Sequence, residues 1–235
     1  MSKIINERVF SIDIPANLDI DAVIKRLRLK EGNARLEKIA RELAEKALAA
    51  ARPKGIYRVS HAKVIDRGAV EIDGVRFTSR TLSKCLEGQE TVYPIIATAG
   101  QELDELPVER GDLMRQFTLD TVKMVILFSA SEYLTDYIKK KYKLDGTAAL
   151  NPGEFNDFPI SQQKPLFELF GDAAGQIGVS LTPGGSLNPT KSRTGILFPN
   201  ETGFLSCRLC MQVKCPGRRA AYDAKEFEKY IGTPG

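Results

Sequence analysis

The sequence predicts an α+β protein, and three observations support that class. With 235 residues the chain is long enough to bury a core in one large domain or two small ones. Its 43% hydrophobic and 27% charged residues are the proportions of an ordinary globular protein. Segments with strand patterning and segments with helix patterning follow in mixed order, without a regular βαβ alternation. That order favours α+β over a doubly wound fold.

Strand patterning is clearest where apolar and polar residues alternate, or where a short apolar run lies between turn residues. The segment ERVFSIDIP alternates, whereas TVYPIIATAG is mostly apolar and ends in a glycine turn. Asp73-Gly74 between two short apolar stretches predicts a hairpin. The expected strands are residues 7–15, 56–65, 91–100, 178–182 and 192–199, with the hairpin over 70–77.

Helix patterning follows from apolar residues that recur every three or four positions. Residues 33–48 keep one apolar face at this spacing and are followed by a stop at Pro53, so they predict an amphipathic helix. Residues 111–142 form the longest such stretch, which we expect to be the central core helix. Shorter helices are expected over residues 19–29, over 79–86 and from Ser161, the last including the glycine-rich GDAAGQIG.

The charge distribution limits the classes of partner. The formal net charge is +4, and the segment 207–219 alone carries Arg208, Lys214, Arg218 and Arg219 without an acid. Because these four charges equal the whole excess, the rest of the chain is balanced, and a broad nucleic-acid footprint is not expected. A small anionic partner or an acidic protein patch fits this segment better.

Neither a membrane segment nor a secretory signal is expected. The longest apolar run, residues 124–128, is far shorter than a bilayer span. The first fifteen residues carry charges and lack an unbroken apolar stretch, so they do not resemble a signal peptide. We therefore expect a cytoplasmic protein without membrane contact.

The residues that usually perform catalysis are scarce. His61 is the single histidine, which excludes multi-histidine metal sites and, unless His61 itself serves, a Ser-His-Asp triad. The glycines at 171–178 and 183–186 lack the spacing of a dinucleotide fingerprint or a phosphate loop. No catalytic residue is predicted.

Three cysteines stand within nine residues near the end of the chain: Cys207, Cys210 and Cys215, the last followed by Pro216. In a reducing compartment such clustering points to metal binding more often than to a disulfide. An iron–sulfur cluster or another metal, a redox thiol set, and no bound centre all remain open. A zinc site would need Cys85, an acid or His61 as a fourth ligand.

A longer pattern lies upstream of the cysteines. NPGEFNDFPISQQKPLFELFG is followed by IGVSLTPGGSLNPTKSRTGILFP, and this order resembles the activation (S-adenosylmethionine-binding) domain of cobalamin-dependent methionine synthase in its small, free-standing form. The resemblance extends from about residue 60 to 223 and is strongest over 151–199.

The resemblance implies a curved antiparallel sheet with flanking helices, built as an activation-domain-like core over 56–205. Residues 1–55 would add a strand and helices, and 206–235 a cysteine-rich basic tail, together in one compact domain. It also implies S-adenosylmethionine (AdoMet) as ligand and a corrinoid-binding protein or methionine synthase core, with cobalamin bound, as partner. The implied chemistry is reductive methylation of inactive cob(II)alamin.

One loop departs from the family pattern of an arginine followed by Pro-Gly-Tyr. Pro152 and Gly153 match, but Glu154-Phe155 replaces the tyrosine and Ala149 replaces the arginine that would grip the ligand carboxylate. The predicted ligand-binding residues are Asn151, Pro152, Gly153, Glu154 and Phe155, with Arg193 as the alternative base.

Three hypotheses follow. The leading one is an accessory protein that binds AdoMet and reactivates a corrinoid protein or short methionine synthase, as a component of a methyltransferase system. The second is an iron–sulfur electron-transfer protein that serves a corrinoid partner through Cys207, Cys210 and Cys215, with an electron donor protein as a further candidate partner. The third is a corrinoid-binding scaffold with neither ligand.

Overall fold

A computed structural model describes residues 2–6, 8–27, 33–109, 111–212, 214–215 and 217–232. The predicted end of the first helix at residues 28–29, and Pro216 of the cysteine segment, lie outside these ranges. Within them the chain forms one open antiparallel sheet of nine strands, a separate two-stranded hairpin and seven α-helices.

The strands run throughout the chain. They are β1 (Ser2–Asn6), β2 (Val9–Asp13), β3 (Lys54–Arg58), β4 (Ser60–Asp66), β5 (Ala69–Ile72), β6 (Val75–Thr78), β7 (Thr91–Thr98), β8 (Thr147–Leu150), β9 (Ser180–Leu181), β10 (Leu187–Asn188) and β11 (Ser192–Pro199). The central strand β7 pairs with β3 and β4 on one side and with β11 on the other, and β8 pairs with the far edge of β11. The short pair β9–β10 stands apart from this sheet.

Seven helices flank the sheet. They are α1 (Ile20–Leu27), α2 (Ala34–Ala50), α3 (Arg80–Cys85), α4 (Leu113–Lys141), α5 (Gln163–Phe170), α6 (Ala173–Gln176) and α7 (Ala224–Tyr230). Local chemistry explains where three of them begin, because the side chains of Asn33, Ser79 and Asp112 each accept a hydrogen bond from a backbone N–H of the first turn. None of the described helices combines the length and apolarity that a membrane crossing requires.

The two faces of the sheet pack against different helices. On one face, Ala130, Leu134 and Ile138 of α4 pack on inward-facing residues of β3, β7 and β11. The first half of α4 also packs against α1 and α2. On the other face, Ile96 and Ile196 share a core with α3, α5 and α6. Since side chains alternate along a strand, neighbouring residues of β11 face these two different layers.

The α+β class with an antiparallel sheet and flanking helices is confirmed. The predicted strand 56–65 is divided at Val59 into β3 and β4. Both halves pair with β7 in one register, but the partner on the other side changes from β2 to β5. Strands β1, β8 and β10 and helix α7 were not predicted. The first two strands belong to the same sheet as β3, and the domain boundaries after residues 55 and 205 stay a prediction.

Candidate functional site

A cavity of about 750 Å³ lies on the α4 face of the sheet, where β7, β8 and β11 meet the middle of α4. Its other walls are the turn after β8 (residues 151–154) and the segment 204–219, which holds the three clustered cysteines. Ligand pockets commonly have volumes of 300–1,000 Å³, so this cavity has the capacity for a nucleoside-sized molecule.

The turn after β8 lies close to β11 because of two glycines. A Cβ at Gly195 would lie 2.6 Å from the Asn151 Oδ1, so only glycine permits this approach. Gly153 has a φ of 87°, in the region that favours glycine. The Gly153 N–H donates to the Phe158 carbonyl at 2.7 Å, which closes the loop.

Asp157 and Phe158, which follow this turn, have a structural role. The Asp157 carboxylate accepts hydrogen bonds from the Ser79 hydroxyl at 2.6 Å and from the backbone N–H groups of Arg80 and Thr81. These donors belong to the start of α3. Phe158 is fully buried in the adjoining core. Through Asp157 and Phe158, the turn after β8 is therefore attached to elements on the opposite face of the sheet.

Glu154 stands where the family pattern has a tyrosine, and it joins two walls of the cavity. One of its carboxylate oxygens accepts hydrogen bonds from the Asn151 backbone and side-chain nitrogens. The other accepts the Ser206 hydroxyl. Because Ser206 immediately precedes Cys207, the position of the loop and that of the cysteine segment depend on the same carboxylate.

Arg193 extends from β11 into the wall between this cavity and a smaller one. Its Nε donates to the Asn151 Oδ1 at 3.2 Å. Burial lowers the pKa of the Arg193 guanidinium, and the nearby Glu154 carboxylate opposes that effect. A partly desolvated cation of this kind gains from an anionic partner.

Helix α4 presents an acidic face to the cavity. Glu132 and Asp136 are four residues apart and hence on the same side of the helix, and both line the cavity. Phe128 lies one turn earlier on this side, and the Arg26 guanidinium carbon lies 5.3 Å from the centre of its ring. The cavity thus offers an aromatic surface, carboxylates and guanidinium groups.

The cysteine segment is organised around Arg218. Its guanidinium donates to the carbonyls of Cys207, Cys210, Gln212 and Ala220 at distances from 2.7 to 3.3 Å. The Arg219 N–H donates to the Cys207 Sγ at 3.4 Å. Arg218 therefore holds the backbone of the segment, whereas Arg219 is exposed at the cavity.

The predicted metal or iron–sulfur centre at Cys207, Cys210 and Cys215 is not supported. All three residues line the cavity, yet no three metal-binding side chains in the described ranges lie close enough to hold one ion. Cys85, offered as a fourth ligand, lies in α3 and packs against the core of the opposite face. The hypothesis of an iron–sulfur electron-transfer protein consequently has no ligand set among the described residues.

The fold brings most of the predicted residues together. Asn151, Pro152, Gly153, Glu154 and Arg193 line the same cavity as the cysteines, although up to 64 positions separate them in the chain. Phe155 differs, because it packs against the core on the other face and forms a bridge with Phe158. Sequence reasoning missed the following residues of the cavity wall: Arg26, Phe128, Glu132, Asp136 and Arg219. Arg219 belongs to the basic segment 207–219, but nothing in the local sequence marks the other four.

The overall fold is that of a methionine synthase reactivation domain. The solved structure that establishes this is described as "Crystal Structure of the MetH Reactivation Domain bound to AdoHcy". The match has a TM-score of 0.61 at 15% sequence identity and covers 94% of this chain and 88% of that one. No protein-family model matches the chain, and neither does any curated protein. The likeness at this identity is one of fold.

Proposed function

We propose that this protein binds AdoMet in the large cavity and serves as an accessory protein in the reductive reactivation of a corrinoid protein. The observation that carries the proposal is the cavity itself. The loop with the family-like Pro-Gly pair lines it, in a fold shared with a domain whose structure holds S-adenosylhomocysteine (AdoHcy).

The charges of the cavity complement those of AdoMet, which has a sulfonium, an ammonium and a carboxylate. Glu132 and Asp136 provide negative charge for the two cationic groups, while Arg193 and Arg219 provide positive charge for the carboxylate. Phe128 offers an apolar surface for the adenine base. Complementary charges in one cavity favour a zwitterionic ligand in a fixed orientation.

The proposed reaction needs no acid, base or nucleophile from the chain. In it, cob(II)alamin on the partner takes up one electron and the methyl group of AdoMet, and methylcob(III)alamin and AdoHcy are the products. A sulfonium already activates its methyl group, so the contribution of the protein is to orient the donor and to exclude water. This is consistent with the scarcity of histidine.

The partner in this proposal is a corrinoid-binding protein or the cobalamin-bearing part of a methionine synthase, and an electron donor protein would supply the electron. The basic segment 207–219 borders the cavity, which suits it to an acidic surface near the corrinoid. A cytoplasmic location would suit such partners.

Titration of the protein with AdoMet in a calorimeter tests the proposed ligand. We expect saturable binding at one site, and the double substitution Glu132→Gln with Asp136→Asn should weaken it about tenfold through the lost charge attraction. Glu168→Gln is the matched control, since Glu168 is an exposed acid on α5, away from the cavity. Absence of heat and of any thermal shift with excess AdoMet would overturn the proposal.

The same sample then tests the proposed role. Methyl-labelled AdoMet, a corrinoid protein in the cob(II)alamin state and a one-electron chemical reductant are mixed with and without the protein. We expect the visible spectrum of methylcobalamin, and the label on cobalt, to develop faster with the protein present. If the protein bound AdoMet but did not accelerate the formation of methylcobalamin, it would be an AdoMet-binding protein without the proposed reactivation role.

A further inference from the structure

We infer that a second, smaller cavity beside the first is a carboxylate site, formed by Arg193 and Gln163. It has a volume of about 330 Å³ and shares Asn151, Pro152 and Arg193 with the large cavity. The inference rests on the proposed function in one respect, because it assigns this site to the carboxylate of the amino-acid arm of AdoMet.

The small cavity lies at an open edge of the sheet. Strand β8 pairs with β11 from Ile196 onward and ends at Leu150, so the first four residues of β11 lie beyond its reach. Thr194 faces the α5 layer, where its hydroxyl donates to the Gln163 Oε1 at 2.8 Å. Arg193, one residue earlier, faces the α4 layer and the large cavity. The small cavity borders both side chains and hence adjoins both layers.

Gln163 points to a ligand. Only 3% of this residue is exposed, and its Oε1 is occupied by Thr194. Its Nε2 has no hydrogen-bond acceptor among the residues that the structure describes, although the side chain borders the cavity. This nitrogen is not among the fully buried polar atoms that lack a partner, so it is accessible from the cavity, where water or a ligand can accept its hydrogen bond. An acceptor bound in the small cavity would complete the hydrogen bonding of this amide.

The positive charge of Arg193 makes the small cavity suited to an anionic ligand. Among the described residues that line it, Arg193 is the one with a charge, and the others are hydroxyl, amide or apolar side chains. The terminal nitrogens of its guanidinium have no partner in the described ranges, since the recorded bond to Asn151 uses Nε. A planar guanidinium pairs with a carboxylate through two parallel hydrogen bonds.

A ligand in the large cavity can reach this site. The two cavities meet at the wall formed by Asn151, Pro152 and Arg193. The adenosine and sulfonium would occupy the large cavity, and the carboxylate would extend past the wall to Arg193 and Gln163. In this arrangement Arg193 on β11 and Gln163 at the start of α5 bind the carboxylate. They replace the arginine of the family pattern, whose position is occupied by Ala149 in this chain.

Decarboxylated AdoMet provides the test, because it differs from AdoMet by the carboxylate alone. We expect the wild-type protein to bind AdoMet about 10- to 100-fold more tightly than the decarboxylated compound. Either Arg193→Met or Gln163→Leu should reduce that ratio towards one. The affinity for the decarboxylated compound should change little.

Lys191→Met is the matched control. It removes a positive charge two residues from Arg193, and Lys191 lines neither cavity and instead pairs with Asp120 at 2.7 Å. The ratio of the affinities for AdoMet and decarboxylated AdoMet should be unchanged in this variant. Thermal unfolding checks that each variant is folded.

Two results would overturn the carboxylate site: a wild-type ratio near one, or substitutions that weaken both compounds equally. Either result would leave AdoMet binding, and with it the proposed function, in place. Failure of the wild-type protein to bind either compound would instead remove the proposed function and this inference together.

Discussion

At the scale of single residues, the two acids of the segment 151–158, Glu154 and Asp157, hold this loop to two different parts of the protein. Glu154 connects the loop to Ser206 and so to the cysteine segment, whereas Asp157 connects it to the start of α3. Neither carboxylate needs to touch a ligand for these tasks. Their hydrogen bonds hold the walls of the cavity in place, which is what a site that acts by orientation requires.

The substitution Asp157→Ala tests the structural role of Asp157. It removes an acceptor from one hydroxyl and two backbone N–H groups at the helix start, so we expect the free energy of unfolding to fall by about 2 kcal/mol in urea denaturation. Asp172→Ala is the control, because Asp172 is exposed and makes no capping hydrogen bond with its side chain. Equal losses in the two variants would contradict the assignment.

At the scale of elements, the cysteine segment is a loop with its own internal support. Four carbonyls converge on the Arg218 guanidinium, in a stretch whose described residues form regular structure only at the short 3₁₀ turn Ser206–Arg208. Strands and helices satisfy their carbonyls through the backbone, and this loop does so through one side chain. The positions of Cys207 and Cys210 at the cavity therefore depend on an arginine eleven and eight residues away.

The substitution Arg218→Ala should release the cysteine segment. We expect Cys207 and Cys210 to react with the neutral reagent iodoacetamide several-fold faster than in the wild type, because local opening becomes easier when four carbonyls lose their donor. Mass spectrometry of peptides measures each site. Cys85 in α3 should keep its slow rate, since burial raises the pKa of its thiol.

Lys214→Ala serves as the control for this loop, because it removes an exposed charge from the same segment without any loss of a carbonyl contact. If both variants left the alkylation rates of Cys207 and Cys210 unchanged, the segment would owe its shape to something other than Arg218.

At the scale of the whole molecule, a partly buried ion pair connects the turn between β5 and β6 to strand β3 and, through Arg58, to helix α5. Asp73, in the turn between β5 and β6, accepts hydrogen bonds from the Arg58 Nε at 3.0 Å and from the His61 N–H at 3.0 Å. Arg58 also donates to the Leu169 carbonyl in α5. The side chain of Asp73 is only 8% exposed, and its carboxylate joins the β5–β6 turn to β3 and β4, while Arg58 extends the connection to α5.

This carboxylate should make stability depend on pH. Burial alone would raise the pKa of Asp73, but the hydrogen bonds from the His61 N–H and the Arg58 Nε, together with the Arg58 charge, outweigh burial and lower it. A lowered native-state pKa gives stability that is present above the pKa of the unfolded chain, near 4, and is lost as the pH falls through the native value.

We therefore expect Asp73→Asn, which keeps a residue suited to the turn, to cost about 2–3 kcal/mol at pH 7. The difference from the wild type should shrink below pH 4, as followed by urea unfolding across pH. A constant difference between pH 7 and pH 3 would show that charge is not the cause.

The local sequence was informative wherever a short segment decides its own structure. The helix over 33–48, the hairpin at Asp73-Gly74 and the strand 192–199 were predicted, because periodicity and turn residues act over a few positions. Strand β8 was missed since its four residues pair only with β11, almost fifty positions later. The split of 56–65 was missed for the same reason, because strand partners decide it.

For the candidate site, too, the features that depend on local sequence were predicted, and those that depend on distant residues were not. By itself, the sequence determined the α+β class, the Pro-Gly loop, the cysteine cluster and the presence of a single histidine, all of which follow from composition and neighbouring residues. Only the tertiary structure decided that loop and cysteines share one cavity, that α4 faces it with two acids, and that Arg193 and Gln163 line one smaller cavity. Those relations join residues far apart in the chain, and the pairing of β8 and β11 with the packing of α4 on the sheet creates them.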